Sequence, residues 1–291
     1  MFRPDLLKGK RILVTGGGTG LGREIADKYL ELGADLYLCG RRGAVLDETA
    51  AALVAKHGGS VRTNGVDIRD AAAVDAMIQS IWDDGGPLTG LVNNAAGNFI
   101  SRTEDLSPRG FDAIANIVLH GTFFVTHSVG KRWIAGKHKG SVVSILVTWI
   151  WTGSPYVVPS AMSKAGLAVM TESLAVEWGR YGIRLNAIAP GPFPVESTAA
   201  RLNPGRTMDE RGAAKNPMGR IGDMPELQHL AAFLMADGCE WLTGQTIALD
   251  GAAHLAGTGN FYDLRSWSDD DWKRAREMIK AQNDRDKSQR S

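Results

Sequence analysis

Residues 11–22 read RILVTGGGTGLG, and this stretch of the chain decides the expected fold. The apolar run at residues 11–15 is typical of a buried strand, and an amphipathic helical pattern follows over residues 21–32. A glycine-rich turn between strand and helix lets backbone N–H groups approach a pyrophosphate, and the helix N-terminus adds partial positive charge. This order therefore predicts a dinucleotide-binding site. Its expected residues are Gly16, Gly18, Thr19, Gly20, Leu21 and Gly22.

Short apolar runs alternate with amphipathic helical segments from residue 11 to about residue 250. After the first strand, the predicted strands cover residues 35–39, 60–66, 141–147, 184–188 and 246–250, with a further strand that ends at residues 91–94. Strands that alternate with helices favour a parallel sheet. We therefore predict an α/β protein with a Rossmann-type, doubly wound parallel sheet in three layers, α/β/α.

No linker rich in proline, serine and charge divides the chain, so we expect one dinucleotide-binding and catalytic domain over residues 1–265. Residues 191–224 are rich in proline and glycine and follow a strand. Ligands of open α/β sheets bind beyond the carboxyl ends of the strands, so we expect this segment to be a substrate lid. Residues 266–291 are expected to form a C-terminal helical tail.

The overall charge excludes some classes of partner. The 291 residues carry 33 basic and 32 acidic side chains, a net charge of +1, so no global field attracts nucleic acid or an anionic membrane. The two cysteines lack metal-site or redox spacing, the N-terminus is too polar for a signal peptide, and no apolar run reaches about 18 residues. We expect a cytoplasmic protein with no metal site and neither nucleic-acid nor membrane partners.

The end of the second strand indicates which dinucleotide is bound. A carboxylate there would accept the ribose 2′-hydroxyl of NAD, but the sequence has Arg41 and Arg42 instead. Two arginines offer charge-assisted hydrogen bonds to a 2′-phosphate, which favours NADPH, although one of them could simply be solvated. Asp67, followed by Ile68 after the third strand, suits the adenine amino group, or alternatively caps the next turn.

Three motifs resemble the short-chain dehydrogenase/reductase family over about residues 8–255. The glycine turn matches its TGxxxGxG pattern, residues 93–97 (NNAAG) resemble its NNAG motif, and residues 190–192 (PGP) resemble its PG motif. The resemblance implies further contacts with the cofactor. These are expected at Asn94, Ala95, Gly97, Lys164, Pro190, Gly191, Pro192 and Phe193.

Longer runs resemble the mitochondrial-type 2,4-dienoyl-CoA reductase branch of that family. They are residues 93–101 (NNAAGNFIS), 157–161 (VVPSA), 174–182 (LAVEWGRYG) and 257–265 (GTGNFYDLR). The resemblance implies a homotetramer that acts on acyl-CoA thioesters. The expected substrate-binding residues are Arg69, Phe99 and Arg201, although each arginine could equally be a solvated surface residue.

The catalytic positions depart from both patterns. Lys164 is present and is expected to bind the nicotinamide ribose hydroxyls, but Ser160 occupies the family's usual Tyr position. In the dienoyl-CoA reductase branch a Ser is usual there, and a Tyr lies fifteen residues before the Lys; that position is Trp149 here. The branch's carbonyl-binding Asn corresponds to His120. Tyr156 lies in the same segment as Trp149, at no position that the family uses.

Two interpretations of each substituted residue stay open. His120 is either a replacement proton donor, since an imidazole titrates near neutrality, or a core histidine bonded to a backbone carbonyl. Trp149 either orients the thioester carbonyl through its indole N–H or fills the pocket. Ser160 cannot readily replace a phenol made acidic by a nearby lysine, which disfavours ordinary alcohol dehydrogenation.

Three functions fit these features. The leading hypothesis is an NADPH-dependent reductase of conjugated acyl-CoA thioesters, either 2,4-dienoyl-CoA or enoyl-CoA. A second is a short-chain oxidoreductase acting on another carbonyl or enone, which the aromatic lining around Trp149 would suit. A third is a catalytically silent NADPH-binding module. Turnover, and its loss on substitution of Lys164, separates the two enzymes from the module.

Overall fold

The computed structural model describes residues 1–195, 213, 216–257 and 261–288. It divides into two compact units, Met1–His254 and Leu255–Ser291. Arg201 and most of the expected lid at residues 191–224 lie outside the described residues.

The first unit contains a seven-stranded sheet in the order β3-β2-β1-β4-β5-β6-β7, and every neighbouring pair is parallel. The strands are β1 (Arg11–Thr15), β2 (Asp35–Gly40), β3 (Val61–Gly65), β4 (Gly90–Asn93), β5 (Gly140–Ile145), β6 (Ile183–Pro190) and β7 (Thr246–Leu249). The order reverses direction between β1 and β4, as in doubly wound sheets, and this confirms the predicted Rossmann-type fold.

Helices connect the strands. They are α1 (Gly20–Glu31), α2 (Gly43–His57), α3 (Ala71–Gly85), α4 (Pro108–Ala115), α5 (Thr122–Gly136), α6 (Trp149–Thr152), α7 (Val158–Trp178), α8 (Met224–Met235), α9 (Ala253–Ala256) and α10 (Asp269–Ser288). Parallel strands need such crossovers, and the helices cover both faces of the sheet.

Alternation along the strands places buried hydrophobic clusters on both faces of the sheet. Ile12 and Val14 point to one face and pack with buried residues of α1, α2 and α8. Leu13 points to the other face and packs with buried residues of α3, α5 and α7. Because both faces are buried, the strands read as continuous apolar runs in the sequence.

A single continuous helix spans Pro108–Gly136 and contains a π-helical segment, Asn116–Gly121, between α4 and α5. By length and composition this helix could cross a membrane, but 56% of its most apolar stretch is buried within the protein. That burial is typical of a helix that packs in a core. The π-segment shifts the side chains that follow it out of α-helical phase.

The second unit, Leu255–Ser291, contains a short 3₁₀ turn at Tyr262–Ser266 and the helix α10. The first turn of α10 carries three aspartates, which complement the positive end of the helix dipole. The rings of Trp267 and Trp272 lie 4.9 Å apart in an edge-to-face arrangement.

Candidate active site

A large cleft of about 1390 Å³ lies at the carboxyl ends of the strands of the first unit. Its lining comes from the residues that directly follow β1, β2, β3, β4, β5 and β6. Ligands of open α/β sheets bind at this edge, near the point where the strand order reverses. The volume exceeds the roughly 300–1,000 Å³ of a typical small-molecule pocket, so there is room for a dinucleotide and a second molecule.

The glycine turn after β1 is shaped for an anion. Gly16 has a φ of +65°, which a side chain rarely tolerates, and its N–H donates to the Cys39 carbonyl at 2.7 Å. Thr19 precedes α1 but makes no side-chain capping bond, and the first turn of the helix holds no acidic residue. The first-turn N–H groups are therefore left without a side-chain partner, as a phosphate-binding helix N-terminus requires.

The end of β4 is locked onto this turn. The Asn94 side-chain amide donates to the Thr15 and Gly16 carbonyls at 3.1 and 3.2 Å, and its backbone N–H donates to the Thr15 hydroxyl at 3.0 Å. Gly22, in the first turn of α1, makes this contact possible. A Cβ there would lie 2.3 Å from the Asn94 amide nitrogen. The residues present therefore fit a dinucleotide pyrophosphate at the turn.

The cleft is basic where it meets the carboxyl end of β2. Arg41 and Arg42 follow β2, line the cleft and are exposed. Among the described residues neither forms a salt bridge, so both remain free to meet an anion. Asp67, which follows the neighbouring strand β3, accepts bonds from the Arg69 guanidinium at 2.6 to 3.0 Å, and these bonds hold the pKa of that carboxyl below its ordinary value.

Lys164 lies on α7 with only 5% of its surface exposed, yet it lines the cleft. Its ammonium group donates a hydrogen bond to the Ile145 carbonyl at the end of β5. Burial lowers the pKa of Lys164 from 10.5 to about 8. A partly desolvated ammonium at the floor of the cleft can bind vicinal hydroxyl groups such as those of a ribose.

The other catalytic candidates differ in placement. Ser160, on α7 one turn before Lys164, and Trp149, at the start of α6, both line the cleft. His120 does not line it. This side chain is exposed in the π-segment, with its ring 6.3 Å from that of Phe124, whereas Ile117 of the same segment lines the cleft. We therefore assign no proton transfer to His120.

Most of the expected cofactor residues come together in this cleft. Those that line it are Gly16, Gly18, Thr19, Gly20, Leu21, Arg41, Arg42, Asp67, Ile68, Asn94, Ala95, Gly97, Lys164, Pro190, Gly191, Pro192 and Phe193. Gly22 is not among the lining residues and instead packs closely against Asn94 and the Gly16 carbonyl. Arg69 and Phe99, two of the expected substrate residues, are not among the lining residues: Arg69 is paired with Asp67, and Phe99 lies near Gly110. The third, Arg201, lies outside the described residues.

Several lining residues were not assigned a binding role from the sequence, among them Arg102, Asn216 and Tyr156. Arg102 follows the run at residues 93–101, and its positive charge next to a binding motif was an available signal. Asn216 is buried and donates to the Asp250 carbonyl at 2.8 Å, a contact that no local pattern reveals. Tyr156 lines the cleft from the loop before α7.

A histidine–carboxylate pair stands beside the cleft at the end of β7. His254 Nδ1 lies 2.8 Å from a carboxylate oxygen of Asp250, which is 3% exposed, and the His254 ring stacks against Trp151 at 4.9 Å. The neighbouring Ala253 lines the cleft. This pair links the end of the sheet to the segment that contains Trp149 and Tyr156.

A cluster of potential metal ligands on α1 and α2 contains Asp27, Glu31 and His57. Lys56 donates to both Asp27 oxygens at 2.9 Å, and Lys28 lies 2.6 Å from Glu31. These ammonium groups already neutralise the carboxylates, so the cluster is assigned as a surface ion-pair network.

Comparison with known proteins identifies the class. A family model described as enoyl-(acyl carrier protein) reductase matches residues 16–254. The chain is 40% identical to a probable 2,4-dienoyl-CoA reductase of Caenorhabditis elegans, over 99% of this chain and 95% of that protein. It is 39% identical to a probable 2,4-dienoyl-CoA reductase of Bacillus subtilis, over 84% of this chain and 97% of that protein. A crystal structure of a gluconate 5-dehydrogenase from Burkholderia cenocepacia, in complex with NADP and tartrate, superimposes with a TM-score of 0.80 at 28% identity, covering 86% of this chain and 97% of that one.

The chain belongs to the short-chain dehydrogenase/reductase family of oxidoreductases, which use a nicotinamide cofactor. Within that family its relatives include proteins named as 2,4-dienoyl-CoA reductases, at about 40% identity over nearly the whole chain. Both levels of the resemblance stated from the sequence are confirmed.

Proposed function

We propose that this protein reduces conjugated acyl-CoA thioesters, either 2,4-dienoyl-CoA or 2-enoyl-CoA, with NADPH. The observation that carries the proposal is the pairing of Lys164 with Ser160, rather than with a tyrosine, in the cleft. Without a phenol one turn before the lysine, the chemistry of alcohols and ketones is disfavoured. Reduction of a carbon–carbon double bond conjugated to a thioester instead depends on donors that stabilise charge at the thioester oxygen.

NADPH is preferred over NADH because Arg41 and Arg42 stand at the ribose end of the cleft without carboxylate partners among the described residues. When bound, the reduced nicotinamide supplies the hydride. Lys164 would hold the ribose of the nicotinamide, and the glycine turn would hold the pyrophosphate. Pro190 and Gly191 line the cleft at the end of β6, which lies four strands away from β2 in the sheet.

The part of the cleft lined by Ser160, Trp149 and Arg102, here called the substrate half, offers hydrogen-bond donors and a cation. Ser160 and Trp149 line it and present an O–H and an N–H that can bond a thioester oxygen. Arg102, exposed at the cleft edge, can form charge-assisted bonds to a phosphate of coenzyme A. With Arg69 engaged by Asp67, Arg102 is the better placed of the two for this contact.

The test follows NADPH consumption by the purified protein with a 2,4-dienoyl-CoA and, separately, with a 2-enoyl-CoA. We expect consumption with the dienoyl thioester, lost in Lys164→Met and kept in the control Lys8→Met, an exposed lysine outside the cleft. Tight NADPH binding without consumption of either thioester would contradict the proposal.

A second candidate substrate is a bulky enone or ring ketone without coenzyme A. The apolar surface that Trp149 and Tyr156 add to the cleft favours it. Binding of free coenzyme A distinguishes the two candidates, because only a thioester reductase needs an anchor for its phosphates.

We also propose that the chain assembles into a homotetramer. Met162, Val169 and Val176 recur every seven residues on one face of α7 and are 57%, 60% and 87% exposed. A seven-residue spacing keeps side chains on one face, as in helix–helix packing. Light scattering of the purified protein should give four times the mass of one chain; the mass of a single chain would contradict this assembly.

A further inference from the structure

Tyr156 supplies the one phenol among the described residues that line the cleft. The two positions at which a tyrosine was expected hold Ser160 and Trp149, and neither side chain can release a proton near neutral pH. Building on the proposed function, we propose that Tyr156 is the catalytic hydroxyl, which bonds the substrate carbonyl oxygen and supplies the proton.

The backbone of Tyr156 is strained. Its φ is +66°, in the left-handed region, where a bulky side chain is a genuine outlier. The two other non-glycine residues with positive φ in the described chain, Lys137 and Ala252, do not line the cleft. Strain of this kind persists only where surrounding structure enforces it, and such sites cluster in ligand clamps and active sites.

A contact across the cleft holds the strained residue. The Tyr156 carbonyl accepts a hydrogen bond from the Ser101 backbone N–H at 2.9 Å. Ser101 and its neighbour Arg102 both line the cleft, so this bond joins the two loops that form the substrate half. It fixes the backbone from which the phenol projects.

The phenol is available to a ligand. Tyr156 is 59% exposed, and its hydroxyl bonds no other described residue. A phenol that already donated to a neighbouring carbonyl would have to break that bond before it could bind a substrate. Exposure also lets solvent return a proton to the oxygen after each turnover.

The proton balance closes with this assignment. Hydride adds to the far carbon of the conjugated system, and the electron pair of the double bond moves towards the thioester oxygen. The Tyr156 O–H bond breaks and its proton passes to the substrate, while the phenolate takes a proton from water. One hydride and one proton have then been added across the substrate, and the phenol is regenerated.

The experiment compares Tyr156→Phe with the control Tyr181→Phe. Tyr181 lies in the turn after α7, away from the cleft, where its hydroxyl accepts from Arg180 at 2.6 Å. General acid catalysis contributes about 10²- to 10⁴-fold, so we expect kcat of Tyr156→Phe to fall on the order of 10²-fold or more. The Kd for NADPH should stay the same in both variants, and the control should keep wild-type kcat.

A third variant, Tyr156→Gly, separates catalysis from folding. Glycine adopts a φ of +66° without strain, so its urea unfolding midpoint should equal or exceed that of the wild type while turnover is lost. A merely structural tyrosine would instead lower the midpoint when removed.

The outcomes distinguish this inference from the proposed function. If the wild type consumes NADPH with a thioester and Tyr156→Phe does so equally, Tyr156 is not the catalytic hydroxyl. A parallel loss of NADPH affinity in Tyr156→Phe would also overturn the assignment. If the wild type is inactive, the proposed function fails; the inference is then tested by binding of a dienoyl-CoA to the NADP⁺-loaded protein. Equal affinity of wild type and Tyr156→Phe would overturn it.

Discussion

Replacement of Lys164 with methionine should have little effect on stability at neutral pH and a destabilising effect that grows as the pH rises. Methionine has nearly the length of the lysine stem, fits the same buried site and carries no charge. The ammonium group is buried against the end of β5, where its one described partner is the Ile145 carbonyl. The variant therefore removes a desolvated charge and one hydrogen bond together.

The size of the effect follows from the pKa of Lys164. A value of about 8 lies below the ordinary 10.5 because burial penalises the charged form. At about 1.36 kcal/mol per pH unit, this difference corresponds to about 3 kcal/mol of unfavourable free energy at neutral pH. Loss of the hydrogen bond leaves the Ile145 carbonyl unsatisfied, which costs about 1–3 kcal/mol. The two effects nearly cancel at pH 7, so the variant should be about as stable as the wild type there.

At higher pH the two effects on stability no longer cancel. Below about pH 8 the folded and unfolded wild-type chains both hold the Lys164 proton. Between about pH 8 and 10.5 the folded chain loses it while the unfolded chain keeps it, so the free energy of unfolding rises with pH. Relative to Lys164→Met, the wild type should gain about 3 kcal/mol over this window.

Urea denaturation of wild type, Lys164→Met and the exposed-lysine control Lys8→Met across this range measures the effect. The difference between wild type and Lys8→Met should stay constant with pH. If the difference between wild type and Lys164→Met were also constant, the buried ammonium would not be titrating near pH 8 and the reasoning would be wrong.

Three further predictions concern the cleft and its supports. Replacing both arginines after β2 with alanine should raise the Kd for NADPH about tenfold or more and leave the Kd for NADH nearly unchanged, as measured by calorimetry. Equal losses of affinity for the two cofactors would argue against a contact with the 2′-phosphate. Gly22→Ala places a Cβ 2.3 Å from the Asn94 amide nitrogen, so it should cost about 1–3 kcal/mol of unfolding free energy and weaken NADPH binding, whereas an unchanged Kd would mean that the turn adapts. His254→Ala removes the ring contact to the buried Asp250 carboxylate, which keeps the bond from the backbone N–H of residue 254, and should cost about 1 kcal/mol by urea denaturation. The loss should be smaller for His254→Asn; equal losses would show that contact with the Trp151 ring, rather than this bond, stabilises the segment.

Local signals in the sequence were sufficient to predict the strands of the sheet. The first strand was predicted at residues 11–15 and is found at Arg11–Thr15, because an apolar run buried on both faces and ended by glycine has one simple interpretation. Strand ends were less accurate. The strand predicted at residues 184–188 extends over Ile183–Pro190, because its last residues pair with β7, some sixty residues further along the chain. Pairing at that distance leaves no local pattern.

The same contrast separates the two halves of the cleft. The cofactor half depends on residues adjacent to strand ends, which sequence patterns locate directly. The substrate half depends on distant contacts. Arg69 was a candidate for contact with the substrate but pairs with Asp67. His120 was a candidate proton donor but is exposed within a π-helical segment, which a 3.6-residue period does not predict.

The two halves of the cleft also differ in the contacts that hold them in place. This difference explains how the catalytic hydroxyl could have moved to another position in the chain. The glycine turn and the end of β4 are fixed to each other by hydrogen bonds at the edge of the buried sheet, so a substitution there disturbs the fold. Tyr156 and Arg102 stand on loops joined by one backbone bond, and loops on a rigid scaffold tolerate exchange of side chains. A phenol needs only to reach the thioester oxygen, so several positions on the loop can serve the same chemistry. Substitution at Ser160 and Trp149 is therefore compatible with an active reductase, provided that another loop residue presents the proton to the same oxygen.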